Sequence, residues 1–96
     1  MILNYLDLSL SHITKQDSVI LEWHCENKQY IEGIGFPYEY DHGYFIFLGE
    51  DDTHDISSIF SKSVIDMVKY AKENKCELIR LDGDGPLVES LPTHEW

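Results

Sequence analysis

The chain has 96 residues, enough for one domain (residues 1–96) with a small hydrophobic core. Its 43% hydrophobic and 12% aromatic content excludes an intrinsically disordered chain, and no apolar run approaches the roughly 20 residues of a membrane span. The net charge of −11 argues against direct binding of nucleic acid or of an anionic membrane, because like charges repel. A charged partner is therefore expected to be basic.

The first segments of the chain predict a strand and then a capped helix. Within Tyr5–Leu10, leucines alternate with more polar side chains, which is the period-two pattern of a strand with one buried face. Thr14 and Asp17 lie three residues apart and form a capping-box signature. Apolar residues at helical spacing follow, so the pattern predicts a helix over residues 14–27.

The middle of the chain predicts a loop and then the strongest strand. Residues 29–34 favour a short strand only weakly, because glycines lie within and directly after this segment. The segment Phe36–Gly43 contains Pro37 and is typical of a loop. The run Tyr44–Leu48 is aromatic and apolar on both faces, which predicts a central strand of the sheet.

The C-terminal half predicts a second helix and one or two strands. Asp55 or Ser57 is expected to cap this helix, which should end near Asn74 and carry its apolar residues on one stripe. Leu78–Leu81 is expected to be the buried part of the next strand, and the glycines and proline after it predict a turn. Leu87–Leu91 predicts a short edge strand, since the proline that follows cannot continue a ladder.

These elements follow the order β-α-(β)-β-α-β-(β), in which brackets mark the weaker strands. The order predicts an α+β domain, or a small α/β domain, with a three- to five-stranded sheet packed against two helices. With so few elements, both helices are expected on one face of the sheet. The directions of the strands are left open.

Two segments without Lys or Arg carry the acidic excess of the chain. Residues 29–61 have a net charge of −7 and residues 81–96 have −4, whereas residues 1–28 have −2 and residues 62–80 have +2. Acids just before the second helix complement the positive end of its dipole and need no function. Helix capping does not explain the acids of the other loops.

A single acidic surface would explain them. If the strands ending at Leu48 and Leu81 are parallel neighbours, the loops that follow them emerge at the same sheet edge. The predicted acidic binding residues are Glu39, Asp41, Glu50, Asp51, Asp52, Asp55, Asp82 and Asp84. Aromatic anchors favoured in binding surfaces are expected from Tyr38, Tyr40 and Trp96.

The stretch Leu81–Ser90 (LDGDGPLVES) is similar to the D-x-D-G-T-L-V-x-S motif of haloacid-dehalogenase-like phosphatases, whose first Asp is the nucleophile. That chemistry needs a phosphate-binding Lys or Arg, a further acid for Mg²⁺ and a doubly wound sheet. Only 6 residues follow Ser90, and Pro86 replaces the usual Thr. The aspartates and glycines are therefore interpreted as turn residues. A small metal-dependent hydrolase that uses Asp82 and Asp84 is the less favoured alternative.

Metal and thiol chemistry have little support in the sequence. The chain has 5 His and 2 Cys, but neither a C-x-x-C nor an H-x-x-x-H pair. We therefore expect no catalytic residue, no metal and no cofactor. The N-terminus lacks the basic region of a signal peptide, so a cytoplasmic location is expected, with Cys25 and Cys76 as free thiols.

Both ends of the chain resemble a family of small uncharacterised bacterial proteins found mostly on plasmids and integrative elements. The family's C-terminal pattern, L/F-D-x-D-G-P and then L-P-x-Y-x-W, is matched by Leu81, Asp82, Asp84, Gly85, Pro86, Leu91, Pro92 and Trp96, with His94 in place of the Tyr. Its opening pattern, L-S-x-x-H-I-T, is matched by Leu8, Ser9, His12, Ile13 and Thr14. The resemblance implies no activity, but it implies a mobile-element setting in which small accessory proteins often inhibit host defence.

Charge and resemblance together predict a non-enzymatic binding protein. Its acidic surface would act as a DNA mimic and dock onto the basic groove of a restriction or CRISPR nuclease, giving antirestriction or anti-CRISPR inhibition. The alternative is a structural or regulatory subunit whose acidity keeps it soluble. An apolar edge strand would permit a homodimer.

Overall fold

In a computed structural model that describes residues 2–49, 56 and 58–96, the chain forms one mixed sheet and two α-helices. The elements in chain order are strand β1 (Tyr5–Ser9), a 3₁₀ helix (Leu10–His12), helix α1 (Lys15–Glu26), strand β2 (Gly35–Tyr40), strand β3 (Gly43–Leu48), helix α2 (Lys62–Glu73) and strand β4 (Leu78–Asp82). This arrangement confirms the predicted α+β class. Among these residues, no helix has the length and apolar character that crossing a membrane requires.

The sheet has the strand order β1-β4-β3-β2. Strand β1 pairs with β4 in parallel, and β3 pairs antiparallel with both β4 and β2. The central position predicted for Tyr44–Leu48 is confirmed, because β3 has a neighbour on each side and its Tyr44 and Ile46 are buried.

One face of the sheet carries the core. Leu8, Ile46, Ile79 and Leu81 alternate toward this face and are fully buried. They form one apolar cluster with buried residues of both helices. The buried helix residues of this cluster are Leu21, Val64, Met67, Val68 and Ala71. The helices therefore cover a single face of the sheet, as the small number of elements led us to expect.

Local sequence sets the start of α1. The Thr14 backbone N–H donates to Asp17 Oδ2 at 2.9 Å, and the Asp17 N–H donates to Thr14 Oγ1 at 3.0 Å. This reciprocal pair is the capping box that the sequence predicts, and it satisfies two backbone donors that the helix leaves unpaired.

Both helices end in the same three residues, Glu-Asn-Lys. The caps are Asn27 and Asn74, which confirms the predicted ends. The next residue is left-handed in both helices, with φ of 52° at Lys28 and 57° at Lys75. The left-handed conformation normally favours glycine, so the backbone of each lysine is strained at the position where the helix ends.

The loop predicted over Phe36–Gly43 is wrong, because Gly35–Tyr40 forms strand β2. Pro37 is tolerated since β2 lies at the edge of the sheet, where a missing N–H does not interrupt a ladder on both sides. The weak strand predicted over residues 29–34 is a turn with one isolated bridge, Ile31 to Gly35.

The predicted start of the second helix is also wrong. Asp55 and Ser57 lie outside the described residues, and the observed cap of α2 is Ser61. The Ser61 backbone N–H and hydroxyl donate to the buried carboxylate of Asp17 at 2.9 and 2.6 Å. A tertiary contact between the two helix starts therefore fixes this position, which no local pattern reveals.

The C-terminal segment after β4 forms turns and irregular structure, so the edge strand predicted over Leu87–Leu91 is wrong. Buried His12 holds this segment, since its Nδ1 donates to the Pro92 carbonyl at 2.8 Å and its Nε2 accepts from the Val88 N–H at 2.9 Å. Gly85 is required where the segment crosses β1, because an added Cβ would lie 2.3 Å from the carbonyl oxygen of Leu8. The two ends that carry the family resemblance thus contact each other.

Candidate functional site

Among the described residues, the face of the sheet opposite α1 and α2 is open and rich in aromatic side chains. Its first transverse row joins Tyr5, Leu78, Phe47 and Phe36, as the registers of the four strands place them side by side. Side chains of alternate strand residues share a face, so two further rows run parallel to the first. The second row is Asp7, Arg80, Phe45 and Tyr38, and the third is Ser9, Asp82, Gly43 and Tyr40.

Four aromatic rings of this face are exposed to solvent. Tyr5, Phe36, Tyr38 and Phe47 are 53%, 38%, 52% and 43% exposed. Three of them form one contact series, in which Phe36 stacks on Tyr38 at 6.1 Å and Tyr38 meets the edge of Phe47 at 5.6 Å. We call Tyr5, Phe36, Tyr38 and Phe47 the aromatic face. A contiguous exposed patch of this kind is a common mark of a binding surface.

An ion pair balances the charge at the middle of the aromatic face. Arg80 Nε lies 3.0 Å from Asp7 Oδ1, and its Nη2 lies 3.4 Å from Oδ2. Desolvation acts to lower the pKa of Arg80, but the hydrogen bond and charge of Asp7 outweigh it and raise the pKa above its ordinary value. The guanidinium is therefore committed to Asp7 and is poorly placed to neutralise a phosphate.

The third row carries the turn aspartate of the phosphatase-like motif. The Tyr40 hydroxyl donates to Asp82 Oδ2, and the Asp84 N–H donates to Asp82 Oδ1 at 2.7 Å. These two bonds lower the pKa of Asp82, while burial and the bond to Asp82 raise the pKa of Tyr40 to about 12. Asp82 is only 9% exposed. Its carboxylate thus stabilises a turn and is not exposed for attack as a nucleophile.

An acidic corner lies beside this row. Strands β3 and β4 are antiparallel, so the parallel arrangement assumed for one acidic rim is wrong. The end of β4 instead meets the turn between β2 and β3, where the Gly83 N–H donates to the His42 carbonyl at 2.9 Å. Asp41 and Asp84 are exposed on these two adjoining turns. We call Asp41, Asp82 and Asp84 the acidic corner.

The remaining predicted site residues have different positions. Glu50, Asp51, Asp52 and Asp55 lie outside the described residues. Tyr38 and Tyr40 share the open face, but Glu39 alternates to its opposite side. The Trp96 indole donates to the Ile13 carbonyl at 3.1 Å, beside the 3₁₀ helix, so it anchors the C-terminal segment.

Sequence reasoning missed Tyr5, Phe36 and Phe47. The available signal was the alternation of aromatic residues at positions 36, 38 and 40, which is the period of a strand with one aromatic side. The loop interpretation of this segment hid that alternation. Phe47 then belongs to the same side because it pairs with Phe36.

Other chemistry-bearing groups are engaged in holding the fold. Ser63 Oγ and His94 Nε2 lie 2.7 Å apart, which ties α2 to the C-terminal segment. Burial, and then the charges of Glu39, Glu22 and Glu26, raise the pKa of the Cys25 thiol to about 11. In the part of the chain that the structure describes, no group of three His, Cys, Asp or Glu residues is placed to hold a metal ion.

Comparison with known proteins adds one match. Residues 5–96 match the model of a family of unknown function, the DUF5983 C-terminal domain. No curated protein matches the chain, and no solved structure does. The expectation of an uncharacterised family is confirmed, whereas a plasmid or integrative-element origin stays a prediction.

Proposed function

The chain belongs to the DUF5983 C-terminal domain family of unknown function, and we propose that it is a non-enzymatic binding domain that docks onto a basic protein surface. The docking surface is the aromatic face, with the acidic corner at one end. The observation that carries the proposal is the exposure of four aromatic side chains on a sheet face that neither α1 nor α2 covers.

The negative charge of the domain favours a basic protein over a nucleic acid as its partner. An open aromatic sheet resembles the stacking platforms that bind single-stranded nucleic acid, but such platforms combine aromatic rings with free basic side chains. Here Arg80 is paired with Asp7, and the chain carries −11. A basic protein surface complements this charge, with Asp41 and Asp84 adding electrostatic steering during association.

Within that class, we propose a partner that itself binds nucleic acid. Its Lys- and Arg-rich groove would meet carboxylates in place of phosphates, so occupation by this domain would block nucleic-acid binding. The resemblance to small proteins of plasmids and integrative elements supports a restriction or CRISPR nuclease of the host as the target. Inhibition of that nuclease is then the biological outcome.

Capture from a bacterial host lysate tests this proposal when variants are run in parallel. We expect the wild type to retain a nucleic-acid-binding protein at low salt and to release most of it between about 50 and 200 mM salt. The double variant Tyr38→Ala, Phe47→Ala should fail to retain it. Trp23→Ala is the matched control, because Trp23 is 54% exposed on α1 and does not belong to the aromatic face.

The purified partner should then lose nuclease or DNA-binding activity when the wild-type domain is added. A partner that binds the wild type and the Tyr38, Phe47 double variant equally well contradicts docking through the aromatic face. Binding that is unchanged by salt contradicts the electrostatic part of the proposal.

A further inference from the structure

A groove separates the end of α1 from the edge strand β2. It has a volume of about 540 Å³, and its lining residues are Cys25, Glu26, Lys28, Phe36, Pro37, Tyr38 and Glu39. Phe36 and Tyr38 also belong to the aromatic face, so the groove opens at the border of the proposed docking surface. Its volume lies within the range of small-ligand sites, which leaves room for a long side chain of a partner.

The groove is apolar within and negative at its rim. Pro37 is buried, whereas the side chains of Glu26 and Glu39 are exposed on its two walls, one at the end of α1 and one on β2. The negative end of the α1 dipole points toward the same place. Lys28, just beyond the helix, supplies the opposing charge.

The Cys25 thiol lies within the negative field that this geometry creates. After burial, the causes that raise its pKa are the charges of Glu39, Glu22 and Glu26, in that order. These carboxylates come from two different elements, so the fold brings their charges together on the groove.

We propose that this groove receives one arginine side chain of the basic partner, an inference that rests on the binding function proposed above. The aliphatic stem of the arginine lies on Pro37, and its guanidinium lies between Glu26 and Glu39. The rings of Phe36 and Tyr38 line the groove from the other face of β2. An arginine suits the groove better than a lysine, because its planar guanidinium donates to two carboxylates in a fixed geometry.

An added β-strand is a poorer occupant than a side chain. Strand β2 lies at the edge of the sheet, where a partner strand could pair in principle. Pro37 lies in the middle of β2 and has no N–H to donate to such a ladder. The partner is therefore recognised here by a side chain.

A titration with short peptides tests the groove without the partner. The probe is a blocked pentapeptide, Gly-Ala-Arg-Ala-Gly, added to the ¹⁵N-labelled domain, and the control peptide carries citrulline, which has the shape of arginine without its charge. We expect the arginine peptide to shift the amide signals of Cys25, Glu26, Tyr38 and Glu39. The citrulline peptide should bind at least about five-fold more weakly.

Two charge-matched variants separate the groove from the overall charge. Glu39→Gln should weaken the arginine peptide about five-fold, while Glu89→Gln, an exposed acid of the C-terminal segment, should leave its affinity unchanged. Equal loss in both variants, or shifts centred on Asp41 and Asp84, would overturn the groove as an arginine site. Groove signals that move with protein concentration alone would also overturn it, since they indicate a second copy as the occupant.

Failure of this inference is distinguishable from failure of the proposed function. The peptide titration needs no partner, and the Tyr38, Phe47 double variant tests capture through the aromatic face. Capture that depends on Tyr38 and Phe47 but not on Glu39 keeps the function and refutes the arginine site. Binding of the arginine peptide without capture of a partner keeps the arginine site and refutes the proposed function.

Discussion

Removal of the Asp17 carboxylate should be among the most damaging single changes in the domain. Asp17 is 2% exposed and accepts hydrogen bonds from the Thr14 N–H, the Ser61 N–H and the Ser61 hydroxyl, at 2.9, 2.9 and 2.6 Å. It therefore joins the first turns of both helices through one buried group. Asp17→Ala leaves two backbone N–H groups and a hydroxyl without their acceptor.

The magnitude follows from these three bonds. A hydrogen bond to a charged group contributes about 1.5–3 kcal/mol, and bonds to one carboxylate are not additive, so we expect Asp17→Ala to lower the free energy of unfolding by about 4 kcal/mol. The free energy of unfolding of small domains is about 5–15 kcal/mol, so this loss removes a large fraction of the stability. Asp17→Asn keeps one acceptor oxygen and should cost about 2 kcal/mol.

Urea denaturation followed by far-UV circular dichroism measures these losses. Thr14→Ala removes the acceptor of the Asp17 N–H, and Ser61→Ala removes only the hydroxyl donor, so each should cost about 1–2 kcal/mol, which is less than Asp17→Ala. A double-mutant cycle between Asp17 and Ser61 should give a coupling energy of at least about 1 kcal/mol. If Asp17→Ala unfolds at the same urea concentration as the wild type, the proposed link between the helix starts is not what stabilises them.

Three further changes probe other parts of the structure. Lys28→Gly relieves a left-handed backbone and should raise the free energy of unfolding by about 0.5–1 kcal/mol in urea denaturation, whereas Lys69→Gly, inside α2, should lower it by about 1 kcal/mol. Gly85→Ala should cost about 1–3 kcal/mol by the same assay, because its Cβ meets the Leu8 carbonyl oxygen, while Gly83→Ala should be close to neutral because its nearest neighbour is 3.8 Å away. The pKa of Asp82 is lowered in the folded state, so its stabilisation is present above the unfolded pKa and is lost as the pH falls through the folded value. In an acid titration, Asp82→Asn should therefore lose less stability at low pH than the wild type. An equal loss of stability in both proteins as the pH falls would contradict this role of Asp82.

The parts of the fold that local sequence determines could be predicted. Thr14 and Asp17 cap α1 through neighbours in the chain, and Asn27 closes it in the same way. The central strand was also predictable, because the aromatic and β-branched run Tyr44–Leu48 favours a strand inside a sheet. Its burial on both faces is wrong, since Phe47 is 43% exposed.

The parts that depend on distant contacts could not be predicted. Ser61 caps α2 while bonding to Asp17, which lies 44 residues earlier in the chain. Pro37 suggested a loop, but its position at the sheet edge removes the usual penalty of proline in a strand.

The candidate site could be predicted only in part, because its assembly also depends on contacts between distant residues. Tyr38 and Tyr40 are predicted as binding residues from their aromatic side chains, and both lie on the open face. The convergence of Asp41 with Asp84 depends on the antiparallel pairing of β3 and β4, and strand direction leaves no mark in a short sequence. The binding role of Trp96 stays a prediction, since its side chain is 55% exposed while its indole donates to the main chain near the 3₁₀ helix.

The footprint of a captured partner on the ¹⁵N-labelled domain tests docking through the aromatic face most directly. We expect shifted or broadened amide signals along β2 and β3, centred on Tyr38 and Phe47, with the exposed side of α2 around Lys69 unaffected. A footprint centred on α1 or α2 that leaves Tyr38 and Phe47 unchanged would contradict it.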